Sequence, residues 1–527
     1  MEGGIILTKK NTAVKTVSVM FLLTFSAKIL GQLREMLSAN AYGTGDMANA
    51  YQAASQIPLL FFEISLGAAI SSTFIPVFNE IMQLEGREKA FRFSSNFVWI
   101  VCAIATFFSI VGIIFAGPII GLVAPGLNEN ATHMAVNILR IMLPIMIFTA
   151  ASYAFAGILQ SLDEFNTPAA MSLCSNLLVI LYFLLLNRYL GIYGLAVFVL
   201  LGWVLQLIIL IPALRKKQYR LSFVFQPKDS GILKTAKLAL PVFVSVWVQP
   251  INSMININLA SHLNDGQAVS ALSYANKLYV IISSVFTLVL TNYIFPKMSR
   301  LYTAGDKKGV ADVLRASLRV VVLIILPIMI LFMTLATPLI RLIYERGAFD
   351  ETSTRLTATA LLFYSAGMLA LGLMEVFNKT FYAMQKSKIP MRVSMIGIAL
   401  NILLSIVLSK KMGLGGIALA SSIAMISMAF LLGCQMRRYV PHLFDRSFLV
   451  NTLKILLSGG VMTAVVLFLN PFLAAHFSGG LVKTFLWLAI AASAGSIAYL
   501  ITAVLFRVEE LTMICNKFLK KGSDSDA

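Results

Sequence analysis

Runs of about 20 apolar residues recur along the whole chain, each closed by charged residues or by Gly and Pro. That length carries an α-helix across a bilayer core. The pattern predicts fourteen spans, at 15–38, 48–79, 94–122, 134–160, 167–187, 190–214, 238–261, 268–296, 320–340, 357–384, 393–409, 413–435, 448–470 and 484–506. The second is the least apolar, holding Gln56, Glu63 and several serines. A membrane barrel would show alternating segments of about 10 residues. The solidly apolar stretch from Leu178 to Leu186 excludes that pattern.

Composition strengthens this reading. The 527 residues are 58% hydrophobic and 12% charged, against about 25% charged in a soluble domain. A net charge of +19 raises the question of nucleic acid. The Lys and Arg, however, sit in short clusters between apolar blocks, which is a topology signal. With the N-terminus in the cytoplasm, the cytoplasmic segments hold 29 of the 42 Lys and Arg, the outer segments seven and the spans six. That asymmetry places both termini in the cytoplasm. Lys9, Lys10 and Lys15 precede the first span with no small-residue cleavage site, which predicts an uncleaved helix. Cys102, Cys174, Cys434 and Cys515 form no CxxC pair, and buried inert thiols are expected.

The two halves resemble each other at an offset of about 220 residues. Phe74-Ile75-Pro76 matches Ile294-Phe295-Pro296, and Ala116-Gly117-Pro118 matches Ala336-Thr337-Pro338. Leu159-Gln160 before Pro168 matches Met384-Gln385 before Pro390. Gly191 to Ala196 matches Gly413 to Ala418. Six spans per copy is an even number, so both copies enter the membrane from the same side. Their relation is then an axis along the membrane normal, the parallel-repeat plan of transporters. The predicted fold is an all-α polytopic membrane protein of two six-helix repeats plus two C-terminal helices. Its segments are a cytoplasmic N-terminus at 1–14, bundles at 15–220 and 221–437, a helix pair at 438–507 and a cytoplasmic tail at 508–527.

Six cations fall within spans: Lys28, Arg34, Arg140, Lys277, Lys379 and Lys454. A charge at mid-bilayer costs about 2.5–3.5 kcal/mol on insertion scales, so each needs a cavity, a partner or a route to the surface. Arg140 and Lys454 lie within about two turns of a span end, where snorkelling accounts for them. Arg34 could snorkel as well. Lys379 follows Glu375 by four residues, the spacing of an intrahelical pair. Lys28 sits mid-span, with Gly31, Gln32 and Glu35 on the same face. With Lys277 in the eighth span, cations from both halves are expected to line one cavity. Few acids accompany them, so the cavity suits an anion such as a diphosphate.

No GxxxxGK[ST] loop is present for a nucleotide. His133, His262, His442 and His476 form no spaced metal set. The glycines at 413, 415 and 416 predict a tight turn, and Asp163-Glu164 a solvated one. No cofactor is evident, and these patterns do not name a coupling ion.

The stretch from Ser26 to Glu80 combines a cation, Leu-Gly, an Arg-acid pair, a Gly-x-Gly turn, an aromatic-rich helix, an Ile-Pro step and a Phe-x-Pro close. It is similar to the opening of the MurJ/MviN lipid II flippase family. Phe381-Tyr382-Ala383-Met384-Gln385 with Pro390 resembles that family's tenth-to-eleventh helix junction. The resemblance implies a multi-pass protein of the bacterial cytoplasmic membrane that flips an undecaprenyl-diphosphate-linked disaccharide-pentapeptide outward. It assigns the family's cavity cations to Lys28, Arg34 and, within Tyr274-Ala275-Asn276-Lys277, Lys277. Gln32, Glu35, Asn49, Asn276, Glu375 and Lys379 are secondary cavity candidates. Asn49 stands at a family acid, Phe62 and Glu63 at a family Arg pair, and Gly67 at a second acid.

The implied partners are a polyprenyl-diphosphate-linked glycan, membrane lipids and the cell-wall synthesis machinery, with no nucleic acid or nucleotide. The nearest alternative is a flippase for another polyprenyl-linked oligosaccharide, of capsule or spore-coat type. A cation-drug exporter should show cavity acids, and an intramembrane transferase paired acids at one membrane face. A wall-synthesis scaffold is the remaining alternative. The predicted mechanism is alternating access, with the last two spans forming a groove for the polyprenyl tail.

Overall fold

A computed structural model describes residues 2–59, 67, 69–440, 443–477, 479–509 and 511. Within these, side chains are described for all but residues 2–18, 21, 71, 241, 244–246, 248–249 and 281–296. Phe62, Glu63, His442 and Cys515 lie outside the described residues. The apolar runs fold as α-helices, and no strand occurs among the described residues. Nine helices there are long and apolar enough to cross a membrane, or ten when one bent pair counts as a span. The chain is a multi-pass helical membrane protein.

Two compact units divide it, one of residues 1–270 with 346–349, the other of 271–345 with 350–527. The first unit holds α1 (Glu2–Tyr42), α2 (Asp46–Gln56), α3 (Ile75–Leu84), α4 (Arg87–Ile114), α5 (Ala116–Val123), α6 (Glu129–Met142), α7 (Ile145–Ser161), α8 (Asn166–Leu185), α9 (Asn187–Lys216) and α10 (Ser230–Ser261). Then α11 (Ala268–Thr303) begins. The second unit continues with α12 (Lys307–Thr334), α13 (Ala336–Tyr344), α14 (Glu351–Ser365), α15 (Met368–Ala383), α16 (Lys388–Met412), α17 (Leu414–Met436), α18 (Arg446–Phe477) and α19 (Leu481–Leu505).

Several predicted spans are broken where the backbone chemistry requires it. The run 94–122 splits at Phe115 and the run 320–340 at Leu335. Pro118 and Pro338 lack the N–H that would bond the carbonyls four residues back. Those carbonyls belong to Ile114 and Thr334, where α4 and α12 end. The run 134–160 likewise breaks before Pro144, and 357–384 bends by 44° between α14 and α15.

The local devices repeat in both halves. Gly191 (φ 55, ψ −152) and Gly413 (φ 55, ψ −133) adopt a conformation that is essentially confined to glycine. The Tyr182 hydroxyl donates to the Gly191 carbonyl. Asp163 and Gln385 both have φ 58. Each closes a helix with the same pair of bonds, Asp163 N–H to Gln160 and Glu164 N–H to Leu159, then Gln385 N–H to Tyr382 and Lys386 N–H to Phe381. Asp163 therefore corresponds to Gln385. The sequence pairing of Leu159-Gln160 with Met384-Gln385 is three residues out of register, because the turn and not the Gln marks the equivalent position.

In the first unit one apolar core gathers Ile138, Tyr182 and Trp203, and another Phe74, Phe78, Phe93 and Phe155. In the second, α18 and α19 pack on α12 through Ile455, Met462, Val466 and Tyr499, whose hydroxyl donates to the Leu323 carbonyl at 2.9 Å. Large apolar side chains also cover helix exteriors, with Leu122 76% and Phe468 81% exposed. That surface suits lipid and not water. Cys434 is exposed, and Cys102 and Cys174 are half-buried, correcting the expectation of buried thiols. A thiol is apolar enough to face lipid.

Gly191→Ala and Gly413→Ala should each lose about 1–3 kcal/mol of stability, read as a lower thermal midpoint of the detergent-purified chain. An unchanged midpoint would contradict the strain assigned to these turns. At the start of α14, the Asp350 carboxylate accepts the Ser353 N–H at 2.8 Å. Bonds from Ser353 hold its carboxyl below the usual carboxylate range. The cap's stability is thus full above that range and lost as pH falls through the lowered value. Asp350→Ala should lower the midpoint at neutral pH, with the difference from the unaltered chain closing as pH falls below the usual carboxylate range.

Candidate functional site

The mid-membrane polar residues of α1 are arranged by its packing on α8. Asn176 of α8 donates to the Ala27 carbonyl at 3.0 Å and accepts from Arg34 Nη1 at 3.1 Å. Between those positions, even a methyl on Gly31 would lie 3.6 Å from the Asn176 amide nitrogen. Ala27, Gly31 and Arg34 thus form the stripe that meets α8, one helical face at 3.6 residues per turn. Arg34 Nη2 pairs with the buried Glu35 at 3.0 Å. Arg34 does not simply snorkel. Its charge is held by an amide and a carboxylate inside the unit, the pairing a half-buried cation requires.

Lys28 and Gln32 lie on the adjoining face of α1, both half-buried. Asn49, by contrast, is fully buried. Its amide nitrogen donates to the Thr44 carbonyl, and its oxygen accepts from the Ser270 N–H at 3.0 Å and hydroxyl at 2.6 Å. It links the start of α2 to the start of α11.

The second unit carries the other candidates. Lys277 on α11 is half-buried beside the fully buried Tyr274 and Tyr279. The neighbouring Asn276 hydrogen-bonds the Tyr364 hydroxyl, as does Ser421. The Tyr364 ring stacks on Tyr279 with centroids 5.9 Å apart. Glu375 and Lys379 on α15 interact electrostatically one turn apart. At the helix ends, Arg140 is exposed in the last turn of α6, and Lys454 Nζ reaches the Arg507 carbonyl at 3.4 Å. Both fit snorkelling.

The structure therefore joins Arg34 with Glu35, Asn276 with Tyr364, and Glu375 with Lys379. Sequence reasoning missed Asn176 and Tyr364. Asn176 had a signal, since it is an amide in an apolar run where an unsatisfied polar group is costly. Each unit presents candidate cations, and one in each, Arg34 or Lys379, has a carboxylate beside it. Such groups bind phosphate oxygens through charge-assisted hydrogen bonds, Arg as a fork and Lys as a point charge.

A match to the family described as "Lipid II flippase MurJ" runs over residues 38–508. The chain belongs to the MurJ family. It is 29% identical to the probable lipid II flippase MurJ of Buchnera aphidicola subsp. Baizongia pistaciae, over 87% of this chain and 90% of that protein. It is 27% identical to the lipid II flippase MurJ of Burkholderia cenocepacia, over 70% and 73% of the two chains. Among solved structures, lipid II flippase MurJ in an inward closed conformation matches with TM-score 0.79 and 25% identity, over 92% of this chain and 98% of that one. An inward-facing multidrug transporter of the MATE family, at TM-score 0.67 and 14% identity over 81% and 96%, shares the fold. Lys277 lies inside the MurJ match, whereas Lys28 and Arg34 precede it.

Asn176→Ala removes both the Arg34 acceptor and the bond to α1. It should cost about 1–3 kcal/mol and lower transport. A variant with unchanged thermal midpoint and transport would show that the α1–α8 bond network is dispensable.

Proposed function

We propose that this chain turns lipid II, an undecaprenyl-diphosphate-linked glycopeptide, from the cytoplasmic to the outer leaflet. It is a transporter and not an enzyme. The observation that carries the reading is the MurJ match over residues 38–508. The cations of the two units give it chemistry. Lys28 and Arg34 on α1 and Lys277 on α11 bind the diphosphate, in a cycle of alternating access. Each can supply a charge-assisted donor to a phosphate oxygen. Gln32 on the face of Lys28, Glu35 paired with Arg34, and Glu375 with Lys379 tune that charge.

The orientation with both termini in the cytoplasm is supported by the 29-to-7 split of Lys and Arg between the two faces. A tail route is supported by an apolar groove of about 480 Å³ within the second unit. Leu369, Phe377, Phe430 and Phe448 line it, with Arg437 at one end. Its walls come from α12, α15, α17 and α18, so the expected groove involves α18 without lining residues from α19. Membrane potential can bias the cycle, since one charge crossing 100 mV is worth about 2.3 kcal/mol.

The test is rescue of a bacterium depleted of its own flippase, scored by lipid II accumulation. The unaltered chain should relieve accumulation, and Lys28→Ala and Lys277→Ala should lose most of that relief while remaining inserted. Lys28→Arg, which keeps the charge, should retain part of it. Persistent accumulation with the unaltered chain properly inserted would reject the substrate.

A further inference from the structure

The segment between α9 and α10 is built into the first unit as a strap. α9 ends at a left-handed Gln218 (φ 58), with Gln218 N–H bonded to Arg215 and Tyr219 N–H to Leu214. From there the chain runs extended beside α4. Its backbone is tied down by side chains of that helix. Ser95 Oγ accepts the Ser222 N–H at 3.3 Å, Trp99 Nε1 donates to the Ser222 carbonyl at 3.1 Å, and Asn96 exchanges two bonds with Gln226, at 2.7 and 2.9 Å. The buried Tyr219 ring meets Phe91 edge-on at 5.1 Å, and its hydroxyl bonds Ser95.

An extended segment alternates its faces. Here Ser222 and Gln226 bond to α4, while Phe223 and Phe225 are 80% and 51% exposed and Leu221, 42% exposed, also lines the adjoining cleft. Basic residues flank them: Arg215, Lys216, Lys217, Arg220 and Lys228. Three exposed apolar side chains on a fixed strap are unfavourable in water. Among cations at a membrane face they match the composition of an interfacial anchor.

Beside the strap lies a cleft of about 990 Å³. Its walls are apolar, with Cys102 of α4, Phe148 and Phe155 of α7, and Leu207 and Ile211 of α9. Trp99, Arg215, Gln218 and Arg220 also line it. Phe223 packs edge-on against Trp99 at 5.3 Å. A mainly apolar cleft that two arginines also line is complementary to an acyl chain with a phosphate at its head. Basic pockets between helices at a cytoplasmic face bind anionic lipids on the same grounds.

We propose that this cleft holds one anionic phospholipid of the surrounding bilayer. An acyl chain lies between α4, α7 and α9, the phosphate meets Arg215 and Arg220, and the strap seats Leu221, Phe223 and Phe225 among the neighbouring lipids. The site uses no residue of α1 or α11, so it stands apart from the cations proposed to bind the transported headgroup.

The full chain is reconstituted with equal phosphatidylglycerol and phosphatidylethanolamine, and its retained lipids are counted by native mass spectrometry. One phosphatidylglycerol per chain should persist through delipidation. Arg215→Gln with Arg220→Gln should weaken that retention about 30-fold, from two near-surface charges. Equal retention of both lipids, retention indifferent to the double substitution, or a polyprenyl diphosphate in place of the phospholipid would overturn the proposal. A second measurement leaves the arginines intact. Quenching of the Trp99 emission, taken as the difference from Trp99→Phe, should be stronger with chain-brominated phosphatidylglycerol than with chain-brominated phosphatidylcholine. Equal quenching by the two would reject a headgroup-selective site.

Discussion

A backbone N–H or C=O left unpaired in hydrocarbon costs several kcal/mol, and the rest of this structure follows from that constraint. It makes the apolar runs helical, because a helix satisfies its own peptide groups. It also determines where the runs may break. Most interruptions fall where a proline removes a donor, at Pro118, Pro144 and Pro338, or where a glycine turns the chain, at Gly191 and Gly413, the bend between α14 and α15 having neither a proline nor a glycine of positive φ. Small polar side chains obey the same rule. Thr73, Thr149, Ser317 and Thr380 each donate a hydroxyl to the carbonyl four residues back, so none needs water.

Charged side chains meet the constraint in a harsher form. Arg34 is half-buried, and both its neighbours are polar groups that the apolar context would otherwise exclude, Asn176 and Glu35. Glu375 and Lys379 offset each other along one helix. Asn176 does two things at once. It satisfies Arg34 and, through the Ala27 carbonyl, fixes the helix that carries Lys28. The α1–α8 contact is thus both packing and electrostatics, and this couples the position of the candidate cations to the stability of the unit.

The fold class was legible because span length and positive-charge asymmetry are coarse properties of the whole chain. The breaks were less so, although their prolines stood in plain view. A hydropathy run does not record that a missing N–H acts four residues upstream, so 94–122 and 320–340 read as single spans. The repeat register slipped by three residues at Gln160 because residue identity was matched where backbone conformation is equivalent, Asp163 with Gln385. Lys28, Arg34 and Lys277 stood out as cations in apolar helices. Asn49 was legible as a polar residue, but its bonds to Ser270 depend on a segment 221 residues away. Asn176 and Tyr364 were missed for that reason too, since their partners lie on other helices.

The two kinds of cation in this protein imply different uses. Lys28 and Lys277 are half-buried, so folding has already removed part of their hydration. A partly desolvated cation favours an anionic ligand over a neutral one. Arg215 and Arg220 are exposed at the end of α9 and keep their water. They attract anions at small desolvation cost, which suits a resident lipid drawn from the bilayer. A carrier whose cargo and solvent are both lipids needs this separation. The strong, partly desolvated cations lie on α1 and α11, while the weak, hydrated ones accompany an apolar cleft at the margin of the first unit.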